Sequence, residues 1–111
     1  PDVMYMGGIT KALKVAKIIE KGGFICTPHA ANLSLVTICT MHFLKAIKNA
    51  GPYLELSIEG EDYYPWQHNI FLNDPFSLED GKVEIKDDPG WGIEINPEWL
   101  KNSNYYISEY D

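Results

Sequence analysis

The chain has 111 residues, of which 45% are hydrophobic and 23% charged, enough for one domain with a real core. A net charge of −7 excludes an electrostatic nucleic-acid surface, which needs clustered Lys and Arg. A membrane span is excluded too: the longest apolar run, Leu33 to Ala50, is broken by Thr37, Thr40, His42, Lys45 and Lys48 and falls short of the about 18 apolar residues required.

The chain opens on Pro1-Asp2 and reads as part of a longer polypeptide. Val3 to Met6 is a short apolar run ended by Gly7-Gly8, the pattern of a buried strand and a tight turn. Thr10 is placed to cap a helix in which Ile9, Ala12, Leu13, Ala16 and Ile19 recur at helical spacing, with Lys14, Lys17 and Lys21 on the wet side. Gly22-Gly23 supplies a left-handed stop, and Phe24 to Thr27 is a second short strand. After the loop Pro28-His29-Ala30-Ala31-Asn32, a long helix is expected over Leu33 to Ala50, broken by Gly51-Pro52. Tyr53 to Ile58 alternates as a third strand.

Strands separated by helices pair in parallel through right-handed crossovers, so an α/β fold follows. Three such strands leave two open edges, which suits a slice of a larger sheet better than a stand-alone domain. Beyond Glu59 the chain turns aromatic and irregular through Asn73, then alternates over Lys82 to Ile85. Asp87-Asp88-Pro89-Gly90 makes a turn, Trp91 to Ile95 is expected to be extended, and Asn96-Pro97 starts a short helix through Lys101. The last nine residues read as a tail or an edge packed on another surface. Cys26 and Cys39 sit in apolar runs without metal-ligand spacing, as buried free thiols of a reducing compartment would. With no secretory signal pattern, a cytoplasmic protein is expected.

Three side chains stand where chemistry would need them. His29 follows the second strand directly, and an imidazole at a strand end facing a cleft is a natural general base or acid. The plainer alternative is a surface-loop histidine. Asp2 lies on the first strand, so its carboxylate is expected against the His29 ring, where it would fix the tautomer; otherwise it is a solvated acid. Glu55 shares a strand face with Tyr53 and Ser57, opposite Leu54, Leu56 and Ile58. It points either into a barrel interior or from a solvated edge strand. His42, between Met41 and Phe43 on a helix, reads as a packed structural residue. The cluster Tyr63-Tyr64-Pro65-Trp66-Gln67-His68 reads as an anchor for a chain crossing, with a ligand-covering loop as the alternative. Gly7-Gly8 does not match a phosphate-binding fingerprint.

Taken in order, four stretches resemble the last third of mandelate racemase/muconate lactonizing enzyme-type members of the enolase superfamily, along roughly residues 1–100. They are the run from Pro1 to Thr10, Thr27-Pro28-His29-Ala30-Ala31-Asn32, Tyr53-Leu54-Glu55, and the run from Asp88 to Glu94. The Tyr-Tyr-Pro-Trp-Gln loop further resembles a subset of acid-sugar dehydratases.

The resemblance implies that residues 1–58 carry the sixth to eighth strands of a modified (β/α)8 TIM barrel, and that 59–111 return toward a capping domain outside this chain. It implies a His29–Asp2 dyad as general base and acid, with Glu55 bonded to the substrate carboxylate or its enediolate. Members abstract the proton next to a carboxylate with a Lys or His base and Mg²⁺, and the Mg²⁺ ligands are expected upstream of Pro1. The implied activity is elimination of water from an acid sugar, with racemisation or epimerisation of a 2-hydroxy acid as the alternative. The expected partners are a small acid-sugar or hydroxy-acid carboxylate and further copies in a homo-oligomer. This chain alone, well short of the about 250 residues of a barrel, is expected to be inactive. A different class of reading is a non-catalytic module that self-associates through its open sheet edges.

Overall fold

The protein is described from a computed structural model covering residues 1–30 and 32–109. Two helices dominate: α1, Ile9–Lys21, and α2, Leu35–Ala46. A two-stranded antiparallel hairpin follows, β1 (Leu78–Glu79) with β2 (Lys82–Val83), and a last short helix, α3, spans Pro97–Lys101. Single 3₁₀ turns lie at Pro65–Gln67 and Gly90–Gly92.

The helices follow the sequence pattern, with corrections at their ends. α1 starts one residue before Thr10, and its N-cap is Gly8, whose φ of 84° suits glycine. It stops at Gly22, with Gly23 in the left-handed region (φ 77°). Ala12 and Ala16 are buried on Val3, Cys26 and Phe43, with Leu13 and Ile19 half-buried around them. α2 is capped by Ser34, whose hydroxyl accepts the Val36 N–H at 3.2 Å. It ends at Ala46, short of the expected Ala50, because Ile47 turns to extended backbone (ψ 144°) and leads Ala50 into a pairing with Cys26. Burial covers Thr37, Ile38, Cys39, Thr40, Met41 and Phe43, so α2 is enclosed on more than one side. Thr40 is satisfied there by donating its hydroxyl to the Val36 carbonyl at 3.0 Å.

The expected strands are where the structure departs furthest from the sequence pattern. Val3 to Met6 is a turn, because one oxygen of Asp2, Oδ1, accepts the N–H groups of both Met4 and Tyr5 at 2.9 Å and bends the chain. Of Phe24 to Thr27 only Cys26 pairs, and Tyr53 to Ile58 has no ladder partner among the described residues. The crossover logic survives in two isolated bridges, Asp2 with His29 around α1 and Cys26 with Ala50 around α2, both parallel. Segment 26–29 therefore lies between the other two, as the middle strand of three would. Gly51 donates its N–H to the Cys26 carbonyl at 2.9 Å, and a Cβ there would lie 1.9 Å from Thr27 Oγ1, so only glycine permits this approach. Asn49 adds a tie that the sequence does not announce: its amide donates to the carbonyls of Ala16 (3.1 Å) and Phe24 (3.2 Å).

The C-terminal half wraps back over α2. Phe71 and Ile95 form an antiparallel bridge, flanked by Leu72 N–H to Glu94 O and Asn96 N–H to Ile70 O, both 2.8 Å. Extension begins only at Ile93, since Trp91, with φ 64° and ψ 20°, belongs to the preceding turn and not to the expected strand. His42 is the packed residue expected: it donates Nε2–H to the Trp91 carbonyl at 3.1 Å, ring against ring. Asn96 caps α3 and Pro97 opens it, as the sequence predicts. Cys26 and Cys39 are free and buried, and burial pushes both thiols up. No helix among the described residues is long and apolar enough to cross a membrane. Tyr105, Tyr106 and Ile107 in the tail are exposed, and the tail's final two residues lie outside the described ones.

Candidate active site

His29 is presented by a segment that the sequence stiffens on both sides. Pro28, fully buried, sets an extended approach. The His29 N–H donates to the Pro1 carbonyl at 2.8 Å, and Ala30 is buried just beyond. Glu55 arrives from the extended run after Gly51-Pro52, where Leu54 and Leu56 face a cavity of about 450 Å³ beside Met41 and Leu44. The same run carries Glu55 toward His29, while Tyr53, expected on the Glu55 face, lines the cavity with Leu54 and Leu56.

One oxygen of Glu55, Oε2, makes two bonds: it accepts His29 Nδ1–H at 2.5 Å and the Ala30 N–H at 3.1 Å. The Ala30 N–H, and next the His29 hydrogen bond, hold the Glu55 carboxyl below the usual glutamate range. A carboxylate on Nδ1 fixes the ring tautomer and leaves Nε2 as the nitrogen able to take a proton. Nε2 has no hydrogen-bond partner among the described residues.

The sequence-predicted residues therefore meet in an altered arrangement. His29 and Asp2 are neighbours through their backbones, but the Asp2 carboxylate is engaged by the Met4 and Tyr5 amides while Glu55 occupies the ring. Two amides from its own turn outweigh a single ring N–H as partners for Asp2. Glu55, which the resemblance implies bonds the substrate carboxylate or its enediolate, here bonds the His29 ring.

The aromatic loop is an anchor, as read. Trp66 accepts Trp99 Nε1–H on its carbonyl at 2.9 Å, and Tyr63, Tyr64 and Trp66 pack edge to face. Buried beneath it, Gln67 reaches both loops behind the site, accepting from Leu33 N–H (3.1 Å) and donating to the Glu59 carbonyl (3.2 Å). Sequence pattern does not single out Gln67, because a lone amide in an irregular loop has no periodicity.

The described residues do not form a metal centre. Among the described residues no three His, Cys, Asp or Glu side chains converge, and His29 and Glu55 are bonded to each other rather than opened on a common ion.

The pattern of the family described as enolase C-terminal domain-like matches residues 1–99. This chain belongs to that family. A solved structure provisionally named a racemase, from Roseobacter denitrificans, superposes with a TM-score of 0.92 at 55% identity, covering 99% of this chain and 30% of that one. A protein of Caldivirga maquilingensis, provisionally named an L-rhamnonate dehydratase, is 29% identical over 90% of this chain and 24% of its own length. The L-rhamnonate dehydratase of Saccharopolyspora erythraea is 26% identical over 88% of this chain and 24% of its own. The enolase-type chain thus spans about a quarter of the curated relatives it matches. Its α/β fold is the C-terminal portion of the barrel those proteins build.

Proposed function

We propose that the protein containing this chain removes the proton next to the carboxylate of an acid sugar and expels the neighbouring hydroxyl as water. The observation that carries the reading is the His29–Glu55 pair, a histidine in the family fold with Nδ1 held by a carboxylate and Nε2 without a partner among the described residues. The names of the two curated relatives support dehydration.

His29 Nε2 takes the proton from the α-carbon, and the electron pair of that C–H bond moves into the carboxylate as an enediolate. When the enediolate collapses, the C–O bond to the β-hydroxyl breaks, and protonated His29 returns its proton to the leaving oxygen. Glu55 keeps the ring oriented through both transfers. Asp2 holds the turn whose Pro1 carbonyl accepts the His29 N–H. Ligands for the Mg²⁺ that stabilises an enediolate in this superfamily would have to come from residues outside this chain.

A second reading, racemisation or epimerisation, is favoured by the name of the 55%-identical structure. The two share the first proton transfer and part at the product. The test is to incubate the full-length protein with L-rhamnonate and other acid sugars in D₂O with Mg²⁺. A product one water lighter, with deuterium at the carbon that lost its hydroxyl, supports dehydration, since the enol left by elimination takes a solvent deuteron there and becomes a ketone at the α-carbon. Deuterium with inverted configuration and no loss of water favours the second reading. Neither deuterium uptake nor loss of water with any acid sugar would overturn both.

A further inference from the structure

We infer that Gln67 is a positioning residue that sets the distance between His29 and Glu55 by bridging the backbones behind them. The inference rests on the reading of that pair as the reacting one.

Leu33 lies four residues beyond His29, and Glu59 four beyond Glu55. Gln67 joins these two positions with opposite ends of one amide, Oε1 on the Leu33 N–H and Nε2 on the Glu59 carbonyl. Gln67 thus ties two backbone positions, each four residues beyond one member of the 2.5 Å contact between ring and carboxylate. Loss of the tie frees Leu33 and Glu59 to move apart, and with them the loops that present His29 and Glu55.

The side chain suits such a clamp. Gln67 is 7% exposed, so its two bonds form out of competition with water. Its amide answers an N–H and a C=O with the two ends of one uncharged group, which neither a carboxylate nor an ammonium can do. Its own backbone is fixed as well: Pro65 opens the 3₁₀ turn, and the Gln67 N–H donates to the Tyr64 carbonyl at 3.1 Å. On either side, Trp66 is tied to Trp99 and His68 stands 3.6 Å from Glu61. The aromatic loop thereby acts as a fixed platform from which one amide spaces the site.

Two variants of the full-length protein separate positioning from mere filling. Gln67→Met keeps length and loses both bonds, while Gln67→Glu keeps the acceptor for Leu33 and loses the donor for Glu59. The first readout is the His29 Nδ1 resonance in histidine-labelled protein, assigned by its absence in His29→Asn and compared with Glu55→Gln. The second is turnover of the acid sugar in D₂O, read as deuterium uptake into the product and split into kcat and KM.

The expected result is a His29 resonance in Gln67→Met moved toward that of Glu55→Gln. With it, kcat should fall about ten- to a hundredfold, as small misplacements of reacting groups do, while KM stays within about twofold. Gln67→Glu should fall between, and it decides the question if Gln67→Met does not fold. An unmoved resonance, whether or not melting temperature drops, would overturn the inference. If wild type turns over no acid sugar, the proposed function fails, and the resonance alone still decides the clamp.

Discussion

The division of labour between the two carboxylates is open to a direct test with Glu55→Gln and Asp2→Asn in the full-length protein. Glu55→Gln removes the charge on His29 Nδ1, where the bond is 2.5 Å long. A hydrogen bond to a charged partner contributes about 1.5–3 kcal/mol. Both side chains are 52% exposed, so solvent screening favours the lower half of that range, about 1.5–2 kcal/mol. If the whole of it acts in the transition state, kcat for proton exchange falls about ten- to thirtyfold. Asp2→Asn keeps an Oδ1 that can accept from Met4 and Tyr5, so the turn survives and the rate should stay within about threefold of wild type. The assay is deuterium incorporation into the product by mass spectrometry, with melting temperature as a check on folding. A loss in Asp2→Asn as large as in Glu55→Gln would refute the reasoning. It would put the Asp2 carboxylate on the ring during turnover, as the family resemblance implies.

The lowered pKa of Glu55 predicts where the pair breaks in acid. A carboxyl depressed on folding contributes stability above its unfolded value, near 4.5, and loses it as pH falls through the lower folded value. The Glu55 carboxyl carbon, followed by NMR, should therefore stay in its ionised position as pH passes 4.5 and titrate only below; a midpoint at or above 4.5 would contradict the two hydrogen bonds. Gly51→Ala would push a Cβ to 1.9 Å from Thr27 Oγ1, costing about 1–3 kcal/mol by overpacking. Thermal unfolding should show the loss, and adding Thr27→Ala should recover part of it. An unchanged melting temperature for Gly51→Ala would disprove the close approach.

The helices were legible because their signals are local. Ala12 and Ala16 recur at helical spacing and are buried, and Asn96-Pro97 opens α3, whereas the Ser34 cap of α2 was not singled out. His29 and Glu55 were legible as candidates because position after a strand and alternation along one are also short-range patterns. Their pairing was not. It depends on whether Asp2 prefers its own turn or a neighbour's ring, a competition decided by the two amides of Met4 and Tyr5. Gln67 and Asn49 escaped for the same reason, since each acts on backbone groups distant in sequence.

The missing ladders have a physical cause that bears on the site. A parallel strand is stable when neighbours on both sides and helices on both faces take up its backbone groups and side chains. Here the first and third segments each have one neighbour, and Phe24, Ile25 and Ile58 stand exposed. The accessible surface, 8310 Å², exceeds by about a third the ~6,200 Å² expected of a compact chain this size. Register nevertheless persists at Asp2–His29 and Cys26–Ala50. What preserves it is a set of side chains bonded to backbone: Asp2 in its turn, Asn49 across α1 and segment 24–26, Glu55 on Ala30, and Gln67 between Leu33 and Glu59. Three of these four ties, those of Asp2, Glu55 and Gln67, lie within a few residues of His29 or Glu55. The geometry of the candidate site is thus held by bonds that do not need the rest of a sheet, which is why the pair stays in contact where the strands beneath it are reduced to single bridges.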